Sequence, residues 1–267
     1  MFSIRFQEWS KFEKIWFCIF SIVILCTTII FSYEGTDYKE TFSIILNWFI
    51  SPISALTGIL CVVLAAKAKI STWTYGAVNS IFYGCVAWYS GYYGDFLINI
   101  FYFLPSQFIG LYYWRRHLKP LSKVDVTIKK ISKKSFLAIL VSCILLAVLW
   151  GLFLHYVDSW FTNVMKRNIS IYGDLAGIFG PAYTLLGPML DSSTEILQLA
   201  GQLLMILALP QQWIFWIATN VITILMWTAV LLVNPGSAAW AVPTLVMWIA
   251  YLINSIYGCY NWNRRLS

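Results

Sequence analysis

The sequence predicts an all-α polytopic membrane protein of eight helices, an N-terminal helix followed by two three-helix bundles joined by a linker helix. Three observations predict it. First, of 267 residues 60% are hydrophobic and only 11% are charged, against about 25% charged in a soluble domain. Second, the uncharged runs reach the 18 or so residues that a membrane crossing needs. Third, the chain repeats itself across one intervening helix. A mean hydropathy of +0.73 excludes disorder, which needs the opposite composition.

Taken in order, residues 1–14 read as an amphipathic, interfacial segment. Span one is 15–33; no small-x-small cleavage site follows it, so it reads as a helix and not as a signal peptide. Residues 44–66, 70–94, 96–114 and 135–154 qualify directly as spans two to five. Pro52 inside span two predicts a kink, because proline removes a backbone donor. From Ile196 to Asn263 there is no charge at all, too long a run for one helix. It breaks at Leu209-Pro210-Gln211-Gln212 and at Asn234-Pro235-Gly236-Ser237, both turn chemistry. Spans six to eight are then 188–208, 212–233 and 239–262. Residues 159–187, with Gly177, Gly180-Pro181 and Gly187-Pro188, read as an outer loop with a short interfacial helix.

The charges sort by side. With the N-terminus inside, fifteen of the 18 Lys and Arg fall on inner segments, and Lys39, Lys166 and Arg167 fall outside. Glu34, Asp37, Glu40, Asp95, Asp158 and Asp174 are assigned to the outer side. The positive-inside bias predicts both termini in the cytoplasm. The basic 115–134 loop is therefore a topology signal, and no nucleic acid partner is expected. The six Cys lie in apolar stretches without CxxC spacing, so no disulfide framework is expected.

Spans two to four match spans six to eight. Gly110-x3-Trp114 ends span four and Gly258-x3-Trp262 ends span eight, an offset of 148. Tyr75-x3-Asn79 and Trp216-x3-Asn220 sit mid-span at an offset of 141, and Gly58 matches Gly201 at 143. A three-helix unit reverses direction in the membrane unless one helix intervenes, and span five is that helix. The bundles then lie parallel, as in SWEET-like 3+1+3 transporters. The segments are 1–40 (N-terminal segment and extra helix), 41–118 (first bundle), 119–158 (basic loop and linker helix), 159–187 (outer loop) and 188–267 (second bundle).

The aromatic-x3-Asn pair, the ends Trp114-Arg115-Arg116 and Trp262-Asn263-Arg264-Arg265, and the run Ile256-Tyr257-Gly258-x-Tyr260-x-Trp262 resemble the PnuC family of vitamin transporters. The likeness is strongest from Glu195 to Leu266, reaches the first half mostly through the repeat, and is slight over 1–40. It implies uptake of nicotinamide riboside by facilitated diffusion in the inner (cytoplasmic) membrane; no ion-coupling carboxylate pair lies within the inner half, so no H⁺ or Na⁺ coupling is expected. It also implies a functional link to a cytosolic riboside kinase whose product is trapped by its charge. Thiamine, riboflavin or a small sugar are alternative substrates on the same fold, and a non-transporting sensor is the remote alternative. Besides solute and membrane lipid, a homo-oligomer is compatible with the sequence.

Polar groups at membrane depth mark candidate sites. In span six, Asp191, Glu195, Gln198 and Gln202 recur at steps of four, three and four, which places them on one helix face. Glu195 lies roughly 20 Å from the inner end at 1.5 Å per residue, so its carboxylate is a candidate counter-charge for a cationic ring. Amides suit hydroxyls and a carboxamide. Gln198, Gln202, Asn220, Asn79, Asn254 and Gln107 are the candidate polar contacts, and Trp216, Tyr83 and Tyr257 the candidate aromatic ones. Trp88 and Trp227 are further deep aromatics. The plainer alternative for each amide is an interhelical hydrogen bond. Trp16, Trp73, Trp114, Trp160, Trp213, Trp240 and Trp262 read as interfacial belt residues. With two His, His117 and His155, and no HExxH or GxSxG pattern, neither an enzyme, a metal site nor a cofactor is expected.

Overall fold

The computed structural model describes residues 6–90, 93–118, 126–165, 183–233 and 238–265. Eight helical rods carry the chain. They are α1 (Lys11–Gly35), α2 (Thr41–Ala66), α3 (Thr72–Ser90), α4 (the continuous segments Tyr93–Ile98, Asn99–Phe103 and Leu104–Arg116), α5 (Lys133–Met165), α6 (Tyr183–Ile206), α7 (Gln212–Val233) and α8 (Ala238–Arg264). Two ends differ from expectation: α5 runs on to Met165 and α6 begins at Tyr183. The rest of the expected outer loop, 166–182 with Lys166 and Arg167, lies outside the described residues, as do the side chains of Trp160 and Trp240.

Stretches within α1, α2, α4, α5 and α7 are long and apolar enough to cross a membrane. The other three have 19, 24 and 27 residues, so length does not hold them back. They carry Asn79, the Asp191–Gln202 stripe and Asn254, and these amides and carboxylates lower their hydropathy.

Pro52 has a partner in Pro105. Each follows a π turn, Leu46–Ile50 in α2 and Asn99–Phe103 in α4. Proline supplies no N–H and crowds the preceding turn, and a widened turn accommodates both defects.

The N-terminal segment is tied to the helices beside it. Ser10 caps α1 in a reciprocal box with Glu13, and Trp9 is buried. Glu13, only 3% exposed, accepts Lys67 Nζ at 2.7 Å and Tyr257 Oη at 2.9 Å. The segment packs on the α2–α3 loop because its carboxylates find Lys67 and Lys69 there; the end of the bundle that carries this loop is called inner as a label only.

α1 packs on α8 and α2, and α5 packs on α6. The two bundles meet along α2–α8 and α4–α6, so the first helix of each bundle meets the last helix of the other.

At the inner end the repeat is exact in chemistry. Ala68 (φ 54°) and Ala208 (φ 55°) are left-handed. Each closes its helix with the same pair of bonds: Lys69 N to Leu64 O and Ala68 N to Ala65 O, then Leu209 N to Leu204 O and Ala208 N to Met205 O, all 2.9 Å. This is a Schellman end. Trp262 Nε1 donates to Ala65 O at 2.9 Å, and Trp114 Nε1 to Met205 O and Ile206 O at 3.1 Å. An indole from the other bundle thus adds a second bond to carbonyls of each helix's last turn, where few intrahelical donors remain. A Cβ on Gly110 would lie 2.3 Å from the Trp73 ring, and one on Gly258 2.5 Å from the Trp213 ring, which is why the Gly-x3-Trp motif occurs twice.

Two expectations are corrected here. Trp16, Trp73, Trp114, Trp213 and Trp262 are buried, none more than 5% exposed. Interfacial enrichment is an average, and these indoles instead fill the core or cap carbonyls. The shared Ala68/Ala208 turn also sets α2 and α6 at an offset of 140, so Gly58 corresponds to Gln198 and not to Gly201.

Candidate functional site

Above the tryptophan cluster, between the bundles, lies a cavity of about 950 Å³ including its open mouth. Its inner floor is Ala65, Met205 and Trp213.

Of the residues singled out from sequence, Asn79, Tyr83, Gln107, Gln198, Gln202, Trp216 and Asn220 line this cavity. Three of the amides are held at their nitrogens. Asn79 Nδ2 donates to Ser54 O at 2.8 Å, Asn220 Nδ2 to Ser255 Oγ at 3.0 Å, and Gln202 Nε2 to Ser106 Oγ at 2.7 Å. Each bond reaches a neighbouring helix, which fixes the amide and leaves its oxygen as an acceptor. Gly58 makes the first arrangement fit: a Cβ there would meet Tyr251 Oη at 2.0 Å and Asn79 Nδ2 at 2.9 Å. Gly201 similarly gives the Trp216 ring its place, at 3.1 Å from a would-be Cβ.

Three buried polar atoms of lining residues have no partner among the described residues: Gln107 Oε1, Trp213 Nε1 and Trp248 Nε1. An unpaired buried group costs about 1–3 kcal/mol. A polar solute or water in the cavity removes that cost. Trp216 and Phe103 stand 6.5 Å apart and tilted by 30°, a pair of aromatic walls that suits a flat ring.

Glu195, Asn254 and Tyr257 lie outside this lining. The Glu195 carboxylate accepts Trp150 Nε1 from α5. On a helix the Asp191–Gln202 stripe is about 60° wide at 100° per residue; Glu195 stands at its α5 edge and Gln198 at the other. Asn254 Nδ2 donates to Val62 O at 2.8 Å across the α2–α8 seam. Its neighbour Ser255, one step round the helix, lines the cavity instead. Tyr257 reaches inward to Glu13. Asp191 is buried outside the lining, Trp227 packs with Met226 and Met247, and Trp88 is 52% exposed.

Asp95, Asn99, Tyr251 and Trp248 line the cavity without having been singled out. Asp95 had been assigned to an outer loop. The usable signal was its spacing: Asp95 and Asn99 are one turn apart, and Asn99 Nδ2 donates to Asp95 O at 2.8 Å.

A largely apolar cavity set with a few amides, between two parallel three-helix bundles whose inner end is closed by reciprocal indole caps, defines a SWEET-like membrane transporter. The chain belongs to the nicotinamide mononucleotide transporter family, whose profile matches residues 47–264. It is 27% identical to the nicotinamide riboside transporter PnuC of Neisseria mucosa over 97% of this chain and 83% of that one. It is 28% identical to that of Haemophilus influenzae over 96% and 91%. Among solved structures it resembles the crystal structure of the vitamin B3 transporter PnuC, with a TM-score of 0.67 and 26% identity over 97% of this chain and 93% of that one. The protein is a multi-pass transporter, not an enzyme.

Proposed function

We propose that this chain takes up nicotinamide riboside by facilitated diffusion, its two bundles rocking around the cavity. The reading carries both termini in the cytoplasm and the chain in the inner membrane. The observation that supports it most is a set of amides facing one cavity, Asn79, Gln202 and Asn220, each held by a neighbouring helix, with Gln198 beside them. Their acceptors suit ribose hydroxyls and a carboxamide N–H, while Trp216 suits the ring. The relatives' names point to the riboside, and the family's description to the mononucleotide. The lining favours the riboside. A phosphate calls for Arg or Lys, whereas the one charged side chain among the described lining residues is Asp95. The same chemistry supports a link to a cytosolic riboside kinase, since a phosphorylated product meets an acidic cavity on the way out.

Proteoliposomes holding only this protein test the reading. Labelled nicotinamide riboside should equilibrate without accumulating, indifferent to a protonophore. Enclosed kinase and ATP should turn equilibration into accumulation. Uptake that collapses with the proton gradient would rule out uniport, and tighter binding of thiamine, riboflavin or a sugar would reassign the substrate.

A further inference from the structure

We propose that Asp95 is the charge selector of the cavity, favouring a cationic nucleoside over a neutral one of the same shape. The inference deepens the riboside reading and rests on it.

Asp95 sits near the start of α4, one turn before the π turn at Asn99–Phe103. Asn99 also lines the cavity, and its bond to the Asp95 carbonyl ties the turn together. The ion pairs Lys67–Glu13 and Lys69–Glu8 belong to the inner loop. A carboxylate in a largely apolar pocket at membrane depth is stabilised by a cation that enters beside it. Glu195 lies outside the lining with its carboxylate engaged by Trp150, so it does not compete for the solute. The counter-charge expected at Glu195 from helical spacing therefore falls to Asp95. The aromatic pair Trp216 and Phe103, about two turns along α4 from Asp95, lines the same cavity and offers π faces, which also attract cations. A flat pyridinium ring satisfies both features; its 1,4-dihydro form keeps the carboxamide and ribose but loses the charge.

Calorimetric titration of the full-length protein in nanodiscs, with nicotinamide riboside and with its 1,4-dihydro form, tests this. The wild type should prefer the cation by about tenfold or more, the size of one well-placed charge contact. Asp95→Asn should bring the ratio of the two affinities close to one. Asp95→Glu keeps the charge and should keep the preference, and it decides the matter if the Asn variant does not fold. Equal affinities in the wild type, a preference that survives Asp95→Asn, or a binding-competent Glu variant without preference would each overturn the proposal. In the last two cases the riboside reading stands. If the wild type binds neither form, that reading falls and the proposal with it.

Discussion

The inner end and the cavity of this protein treat the same repeat in opposite ways. At the inner end each half has one left-handed alanine, one Gly-x3-Trp motif and one indole capping the other half's helix. A few ångströms higher the halves part company. Gln198 and Gln202 of α6 correspond, at the offset of 140 set by the turn, to Gly58 and Val62 of α2. Gln107 corresponds to Ser255 at the offset of 148. The Asn79/Asn220 pair is one residue out of the register that Trp73 and Trp213 set, which on a helix is about 100° of rotation. Closure is a task both halves share, so its residues match. A ring with a ribose on one side has no two-fold symmetry, so the groups that face it do not.

The largest expected effect breaks the symmetry of the inner end. Lys67 corresponds to Leu207 in the second half, yet it is paired to Glu13 with both side chains no more than 10% exposed. Lys67→Leu should copy the second half's residue and still destabilise by about 3–5 kcal/mol, because Glu13 is left charged and buried. Glu13→Gln added to it should restore most of that, measured by thermal unfolding in detergent. Additive losses would mean that the pair is not coupled.

Next come the glycines, where the halves should behave alike. A methyl at Gly110 or at Gly258 drives into the indole stacked on it, and overpacking of this kind costs about 1–3 kcal/mol. Gly110→Ala and Gly258→Ala should lower the melting temperature by similar amounts. A large drop in only one of them would show that the two inner ends bear load unequally.

The eight helices were legible because hydrophobicity and loop charge are local properties, and residues 44–66 or 212–233 need no partner to announce themselves. The midspan amides were legible for the same reason: Asn220 and Gln198 are costly in lipid wherever they point. Direction was not legible. Glu195 and Gln198 share a stripe, and only the position of Trp150 on α5 decides that the first turns away from the cavity. Trp114 and Trp262 looked like belt residues because nothing local says that a carbonyl of the opposite bundle lies within reach. Asp95 was lost to an outer loop because it is the one charge between the uncharged runs 70–94 and 96–114, and hydropathy puts such a charge at their junction.

A smaller effect should separate the paired asparagines. Asn220 is 1% exposed and bonded to a side chain, whereas Asn79 is bonded to a backbone carbonyl and less buried. Asn220→Ala should weaken riboside binding by roughly tenfold, near the upper end of 0.5–1.5 kcal/mol for one neutral hydrogen bond, and Asn79→Ala by less. Equal losses would restore to the cavity the symmetry that the inner end has.

The smallest expected effect falls on residues that spacing alone placed in the site. Glu195→Gln keeps an acceptor for Trp150 Nε1, and Asn254→Ala removes only a bond to Val62 O. If both serve helix contacts, Glu195→Gln should change riboside affinity by no more than about threefold, the part due to its charge acting at a distance. Asn254→Ala should leave affinity unchanged and lower stability by about 1 kcal/mol. The titration and the melting curve therefore move in opposite order from Asn220→Ala. A loss of affinity at Asn254 as large as that at Asn220 would extend the solute path to the α2–α8 seam and make the site more symmetric than its lining indicates.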